Sequence, residues 1–199
     1  MVRNQTSYLI LGMLSIEPNK SGYDIRKGVE SSVSYFWRES YGQIYPTLKR
    51  LAAEGLIVAS KADSASRKGR QVYSLTEAGR ACLREWLAVP FKNDPPRNEF
   101  LLKLFFGREA APGVAIAHVR DLQERNRRML ATLLALETMA TMQASQNPHQ
   151  PFWMLTISLG IALTRAALEW GESALAALAS MEAAGAPRRG ARVRQPHAE

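Results

Sequence analysis

Residues 34–55 read SYFWRESYGQIYPTLKRLAAEG, and this stretch decides the fold. Ser40 precedes Gln43 at the spacing of a capping box, so a helix is predicted to begin at Ser40. Apolar residues then recur at helical spacing until Gly55, a residue suited to end a helix. Pro46 falls in the second turn and removes a backbone donor there, which predicts a distorted or late-starting first turn.

The polar side of this predicted helix suits nucleic-acid recognition. Four residues are expected to point away from the apolar side: Gln43, Thr47, Lys49 and Arg50. Gln43 can read an adenine, and Thr47 can meet a thymine methyl group or a phosphate. Lys49 and Arg50 lie one turn later, where phosphate contact is expected. Tyr45 is expected either to contact DNA or to pack against the neighbouring hairpin.

Two further helices precede this stretch. Residues 4–16 are mostly apolar and predict a buried first helix, which Pro18 ends. Ser21, followed by Asp24, predicts the capped start of a second helix over about 22–31. The N-terminus of that helix could hold a phosphate, although capping explains Ser21 without DNA.

A two-stranded sheet is predicted after Gly55. Short β-type runs occur at 56–58 and 72–75, and the turn between them, residues 61–70, reads KADSASRKGR. Three helices followed by a hairpin with a basic turn is the order of a winged helix-turn-helix, whose third helix enters the major groove. Three wing cations are predicted to contact phosphates or a narrow minor groove: Arg67, Lys68 and Arg70. The alternative is a basic turn that only keeps the surface solvated.

The chain resembles a known family in several runs of sequence. It is similar to the longer members of the PadR family of bacterial transcriptional regulators in YLILGMLS, SGYDI, FWRESYGQIYPTLKRLAAEGLI, RQVYSLTEAGRACLREWL, NEFLLKLFFG and WMLTISLGIALTRAALEW. Many relatives carry a proline in a GRPRK-like wing turn, where this chain reads SRKGRQ. The resemblance implies a symmetric dimer that binds a palindromic operator, usually as a repressor released by a small effector.

Charge divides the chain into a basic module and a neutral one. Residues 1–88 hold 13 Lys and Arg against 8 Asp and Glu, whereas residues 89–184 hold nine of each. The proline-rich segment 89–97 is the predicted linker between a winged helix-turn-helix domain and a helical dimerisation and effector domain over 98–184. Residues 185–199 are predicted to be a disordered basic tail. The expected fold class is therefore mainly α (α+β), with a two-stranded wing.

A heptad seam and an apolar last helix predict the dimer interface. The helix expected over about 113–143 carries apolar residues at alternating spacings of three and four, and the helix over about 151–184 is apolar nearly all round. Asn126 in the seam is expected to fix the register of a partner helix or to bond locally. The residues predicted for dimerisation are Val119, Leu122, Asn126, Met129, Leu133, Leu155, Leu159 and Ala166.

Aromatic residues indicate a second, apolar site. A pocket for a planar effector is predicted from Trp37, Phe105, Phe152, Trp153 and Trp170, with packing in the core as the alternative. Trp37 could instead plug the space between the first and third helices. Tyr23 is expected to add its hydroxyl to a backbone contact with DNA or to lie at the edge of the core.

The complete set of residues predicted to bind DNA is Ser21, Tyr23, Ser40, Gln43, Tyr45, Thr47, Lys49, Arg50, Arg67, Lys68 and Arg70. The expected partners are double-stranded DNA, a second copy of the chain and a small effector. A winged helix used only for protein assembly is the alternative, because the fold does not itself guarantee DNA binding. Such a module should carry apolar or acidic residues on the outer face of its third helix, and this chain carries polar and basic ones there.

Catalytic and metal chemistry are not indicated. The three histidines are scattered, the single cysteine permits no intrachain disulfide, and no Gly-rich phosphate loop or nucleophile motif occurs. We therefore expect no metal, no cofactor and no enzymatic activity, in a cytoplasmic protein. Residues 152–168 are the most apolar stretch, and we expect them to fall short of a membrane span.

Overall fold

The structure is a computed structural model that describes residues 4–37, 40–61, 70–91, 97–142 and 147–185. Within these ranges the chain forms seven α-helices and one two-stranded antiparallel sheet, which confirms the predicted fold class. The chain divides into two compact units, residues 1–94 with 146–152, and residues 95–145 with 153–199. The division after residue 94 falls inside the segment 89–97. The predicted tail lies outside the described residues, apart from Gly185.

The first unit contains four helices and the hairpin. Its elements are α1 (Gln5–Ile16), α2 (Gly22–Ser32), α3 (Ile44–Ala53), β1 (Ile57–Lys61), β2 (Gln71–Leu75) and α4 (Glu77–Ala88). The predicted capping box at the start of α2 is present, because the Ser21 hydroxyl accepts from the Asp24 amide and the Asp24 carboxylate accepts from the Ser21 amide. The strands pair from Ile57 opposite Leu75 to Lys61 opposite Gln71. This hairpin is the predicted wing.

α3 begins later than its capping pattern suggests. Tyr41–Gln43 form a 3-10 turn, and the α-helix starts at Ile44 with Gln43 as its N-cap. The Gln43 amide donates to the Ser40 carbonyl at 2.8 Å. The prediction that the α-helix begins at Ser40 is therefore wrong, whereas the late-starting first turn is confirmed. Pro46 lies in the first turn of α3, where an amide has no intrahelical acceptor to lose.

The core of the first unit joins all of its elements. α1 packs against α2, α3, α4 and β2. The buried apolar side chains are Ile10, Leu11, Leu14, Ile25, Ile44, Leu48, Leu51, Leu56, Ile57, Tyr73 and Leu83. Tyr8 of α1 and Trp86 of α4 stack with ring centroids 4.6 Å apart and planes 8° from parallel. α3 is thus held on its inner face by a closed core.

The second unit consists mainly of two long helices. Its elements are α5 (Glu99–Phe105), α6 (Val114–Met142) and α7 (Gln150–Gly185, of which the residues up to Phe152 belong to the first unit), with a 3-10 turn at Gly107–Glu109. The Gly113 amide, just before α6, donates to the Glu182 carboxylate at 2.5 Å. Further along, Gln123 Nε2 donates to the Leu168 carbonyl at 3.5 Å. Since contacts move backward along α7 as they move forward along α6, the two helices pack antiparallel.

α7 buries only a narrow face within the chain. Ile157, Ile161 and Thr164 are each 6% exposed. By length and composition alone, Gln150–Ala184 would suffice to cross a membrane, with a mean hydropathy of 1.4 in its most apolar window, 17% of which is buried. The expectation that this stretch falls short of a span is wrong by that measure. The core helix of a soluble protein can have the same length and composition, and it is then covered by protein rather than by lipid.

Candidate nucleic-acid interface

A groove of about 590 Å³ lies where the start of α2, the outer face of α3 and the start of β2 meet. Its lining residues are Ser21, Gly22, Tyr23, Tyr45, Lys49, Arg70, Gln71 and Tyr73. Five of the residues predicted to bind DNA are therefore brought together in one place, although they come from three separate parts of the sequence. Tyr23 and Tyr45 are 55% and 54% exposed, so the prediction of Tyr23 as a possible core-edge residue is not supported.

Main-chain hydrogen bonds fix the base of the groove. The Tyr73 amide donates to the Lys20 carbonyl at 2.9 Å, and the Lys20 amide donates to the Tyr73 carbonyl at 3.2 Å. Asn19, just before this bridge, adopts a positive φ of 58° and exchanges hydrogen bonds with the Ser74 side chain. The turn before α2 is thereby joined to β2. The wing and the second helix are held as one framework.

The recognition surface depends on close contact between Gly22 and Tyr45. A β-carbon on Gly22 would lie 2.6 Å from Tyr45 Cε1 and 3.2 Å from Leu48 Cδ1. Real β-carbons do not approach neighbours so closely, so any larger residue at Gly22 would displace the tyrosine ring. The sequence pattern does not indicate that Gly22 makes room for Tyr45, because the contact joins residues of two helices.

Tyr73 forms the floor of the groove. It is 7% exposed, and burial raises the pKa of its hydroxyl, with the nearby Tyr45 adding to the increase. The phenol is neutral at neutral pH, as an ordinary tyrosine is, and can donate a hydrogen bond. Neither Tyr73 nor Gln71 was predicted as a site residue, because an apolar β-type run gave no indication that one of its members would face a groove.

The Ser21 side chain is engaged in capping α2. It is 7% exposed, its hydroxyl donates to Asp24 Oδ2 at 2.8 Å, and its amide donates to the same oxygen at 3.0 Å. The predicted contact between the Ser21 side chain and a phosphate is therefore not favoured. Lys49 and Arg70 remain exposed and supply the positive charge that lines the groove.

The structure contradicts the prediction for Thr47 and shows partners within the chain for Arg50. Thr47 is 1% exposed and points into the core rather than outward beside Gln43. Arg50 does not extend freely into solvent, because its Nη2 donates to Asn4 Oδ1 at 3.0 Å and to the Ser7 hydroxyl at 2.9 Å. Gln43 is exposed, as predicted.

The remaining predicted DNA contacts are Ser40 and the three wing cations. Ser40 is exposed just before the 3-10 turn, outside the groove lining. Arg67 and Lys68 lie outside the described residues. Of the three predicted wing cations, Arg70 is thus the one that the described structure places in the groove.

The predicted effector residues fall in both units. Trp37 and Phe152 belong to the first unit, whereas Phe105, Trp153 and Trp170 belong to the second. Phe105 and Phe152 are 81% and 69% exposed. Trp170 meets Phe100 edge to face at 5.9 Å, and Phe105 meets Phe106 at 5.0 Å. Trp37 is partly buried. A shared aromatic pocket therefore stays a prediction.

The predicted dimerisation residues separate into two groups. On α6, Val119 and Leu133 are 0% and 1% exposed within the single chain, so both are unavailable to a partner in this conformation. Leu122 and Met129 are partly buried. Asn126 donates to the Leu122 carbonyl of its own helix at 2.8 Å. This part of the predicted seam packs within the chain, which corrects the assignment of Val119 and Leu133.

α7 presents a different surface. Leu155 and Leu159 are 67% and 61% exposed, and Ala166 is exposed as well. We call the exposed apolar residues of this face the α7 stripe, which comprises Leu155, Leu159, Leu163, Ala166 and Trp170. With 3.6 residues per turn, the stripe lies about 165° around the helix from the buried face. A partner could cover it without disturbing the packing on α6.

Comparison with known proteins adds the family. Residues 10–85 match the model of the transcriptional regulator PadR-like family, and residues 96–179 match that of the virulence activator alpha C-terminal domain. The negative transcriptional regulator PadR of Bacillus subtilis is 34% identical over 103 residues, or 50% of this chain and 54% of that protein. The chain thus spans about half the length of this curated relative.

Solved structures resemble the chain over most of its length. Bacillus subtilis PadR in complex with operator DNA matches with a TM-score of 0.75 and 26% identity, over 88% of this chain and 99% of that one. The same protein in complex with p-coumaric acid matches with a TM-score of 0.71 and 26% identity, over 87% and 98%. These similar proteins are regulators of transcription rather than enzymes, in agreement with the expectation from the sequence.

Proposed function

We propose that the chain, which carries a PadR-like family domain over residues 10–85 and a virulence activator alpha C-terminal domain over residues 96–179, represses transcription by binding a palindromic operator as a homodimer. A small aromatic effector releases it from the DNA. The protein acts in the bacterial cytoplasm, where the operator is accessible. The observation that carries the proposal is the groove, in which exposed basic and aromatic side chains flank the outer face of α3.

The chemistry of the groove suits a DNA backbone beside a base-reading helix. Lys49 and Arg70 can each neutralise a phosphate, and Tyr23 can donate its hydroxyl to another. Gln43, exposed at the N-cap of α3, can read a base edge in the major groove. An assembly module would need an apolar or acidic outer face instead. The polar and basic outer face of α3 therefore favours DNA.

The α7 stripe supports the proposed homodimer. Monomeric proteins rarely leave a long row of large apolar side chains in water, and such rows mark interaction sites. A second copy of the chain is the natural partner, because a twofold axis places the same apolar face on both sides of the interface. A palindromic operator requires the two copies of α3 to lie about one DNA turn, or about 34 Å, apart.

The proposed effector follows from a relative and from the aromatic side chains. Bacillus subtilis PadR has been solved with p-coumaric acid, a planar aromatic acid. Of the residues predicted for such a ligand, Phe105, Trp153 and Trp170 belong to the second unit, and these three are proposed to bind it. An effector bound near α7 would act by changing the separation of the two α3 helices. Adding p-coumaric acid to the DNA titration below tests whether this ligand weakens binding.

Footprinting followed by titration tests the function. The DNA immediately upstream of the protein's own gene is footprinted, and the protected sequence is then compared with a shuffled one by fluorescence anisotropy. We expect preference for the protected sequence. We expect Lys49→Ala to weaken binding to both DNAs and to lower the slope of log affinity against log salt by about one, because one phosphate contact is lost.

Arg84→Ala is the matched control for this titration. Arg84 is an exposed cation of the same unit, it pairs with Glu77 at 3.5 Å, and it lies outside the groove lining. Its removal lowers the net charge by the same amount but should leave the salt slope unchanged. Equal effects of Lys49→Ala and Arg84→Ala would show that the groove is not the contact surface. Wild-type protein that binds protected and shuffled DNA equally would refute the proposed function.

A further inference from the structure

We propose that Arg50 positions α3 by bonding to the N-cap of α1 and does not contact a DNA phosphate. The proposal rests on the DNA binding proposed above and assigns a task to a basic residue of the DNA-reading helix that would ordinarily be counted among the phosphate contacts. Its starting observation is that the Arg50 guanidinium meets two acceptors on α1, Asn4 Oδ1 at 3.0 Å and Ser7 Oγ at 2.9 Å.

The Asn4 side chain accepts three of the hydrogen bonds in this cluster. Its Oδ1 accepts from the Ser7 amide at 3.2 Å, from the Ser7 hydroxyl at 2.8 Å and from Arg50 Nη2. The side chain that caps α1 therefore also holds the last turn of α3. The Ser7 side chain, which is 0% exposed, completes the cluster. Because the planar guanidinium and both acceptors have limited freedom, these bonds fix direction as well as distance.

The bonds of Arg50 affect the orientation of α3 because of where they lie along the helix. The inner face of the helix is held by Ile44, Leu48 and Leu51, all at most 1% exposed. Apolar packing resists separation from the core but has no directional preference of its own. The bonds of Arg50 add a directional contact near the C-terminal end of α3, where a cation is also favoured by the helix dipole. Arg50 therefore limits rotation and sliding of the helix that carries Gln43.

The neighbouring cation is the natural comparison. Lys49 lines the groove, whereas Arg50 follows it about 100° around the helix and bonds to α1. Two adjacent positive charges in the sequence would thus do different work. Lys49 attracts any DNA through its charge. Arg50 keeps α3 aligned, which strengthens binding to the operator but not to other DNA sequences.

The test separates charge from alignment. Affinities for operator and shuffled DNA are measured across a range of salt concentrations for wild type, Arg50→Ala, Asn4→Ala and Lys49→Ala. We expect Arg50→Ala to lower the ratio of operator to shuffled affinity by about tenfold, because charge-assisted hydrogen bonds are lost, and to leave the salt slope unchanged. Asn4→Ala should reproduce this result although it removes no charge, and the double variant should add little to either single change.

Two further variants exclude a general loss of stability. Asn98 caps α5 just as Asn4 caps α1, with its Oδ1 accepting from the Leu101 amide at 3.1 Å. Asn98→Ala therefore loses a comparable cap in the other unit and should keep the affinity ratio. Asn4→Asp keeps both the cap and an acceptor for Arg50 and should retain the wild-type ratio.

The opposite results are equally clear. If Arg50→Ala weakens binding to both DNAs alike and lowers the salt slope by about one, as Lys49→Ala does, Arg50 contacts a phosphate and the inference fails while the proposed function stands. If Arg50→Ala fails to fold, Asn4→Ala decides, since an unchanged affinity ratio in that variant overturns the inference. Wild-type protein without operator preference would instead overturn the proposed function on which the inference rests.

Discussion

The two units of this chain bury their apolar surfaces to different extents. In the first, α3 places Leu48 and Leu51 at 0% exposure inside a core closed by its own unit. In the second, α7 leaves Leu155 and Leu159 more than 60% exposed. The first unit therefore contains what it needs to present the groove, whereas the second leaves an apolar face of α7 exposed in the single chain. Substitutions in the first unit should affect folding and DNA recognition, and substitutions on the α7 stripe should affect assembly.

Leu159→Glu should have the largest effect, and it acts on assembly. Placing a carboxylate in the proposed interface costs about 3 kcal/mol or more, so the variant should sediment as a monomer at micromolar concentration where wild type sediments as a dimer. Ser158→Glu, which adds the same charge at an adjacent exposed position beside the stripe, should remain dimeric. If the Leu159→Glu variant stays dimeric, the α7 stripe is not part of the dimer interface, and the proposed difference between the two units is refuted.

Gly171→Ala should have an intermediate effect on the second unit. The new β-carbon would lie 2.7 Å from Cγ and 2.9 Å from Nε2 of Gln123, which is only 4% exposed and has little room to move. We expect a loss of about 1–3 kcal/mol in unfolding free energy, measured by urea denaturation.

Gly12→Ala is the control for that substitution. Gly12 lies inside α1, and a β-carbon there would meet nothing within 4 Å. Alanine favours a helix over glycine by about 1 kcal/mol, so this variant should be more stable than wild type. Equal effects of the two substitutions would mean that α6 and α7 are not packed tightly around Gln123.

The smallest effect is a loss of stability at alkaline pH that depends on Tyr73. Burial raises the pKa of this hydroxyl above its usual value of 10.0. The stabilising contribution of Tyr73 is therefore complete below pH 10 and is lost as the pH rises through the higher pKa of the folded state. Tyr73→Phe should lessen the decline in unfolding free energy above pH 10. An unchanged decline in Tyr73→Phe would contradict this assignment.

Local signals in the sequence predicted most of the elements. Capping residues and helical periodicity act within a few residues, so Ser21 marks a helix start that the structure also shows. The start of α3 was misplaced because a capping-box spacing at Ser40 competes with the 3-10 turn that precedes Pro46. The short-range pattern alone does not decide between them.

Contacts between distant parts of the chain could not be predicted at the site. The partners of Arg50 lie on α1, more than 40 residues earlier in the sequence, and nothing near Arg50 indicates them. Thr47 is a different case, because it lies three residues after Ile44 and one before Leu48, within the apolar arc of α3. Its burial follows from helical geometry, and its polar character misled the assignment.

The bridge between Lys20 and Tyr73 bears on how such a regulator could acquire a new operator. Both of its hydrogen bonds join main-chain atoms, so the bridge does not depend on which side chains occupy these positions. Side chains on the outer face of α3 can therefore be exchanged while the framework under them keeps its shape. Libraries that vary Gln43 and Lys49 together should yield folded proteins with altered DNA preference, which makes this surface a suitable starting point for reprogrammed genetic switches.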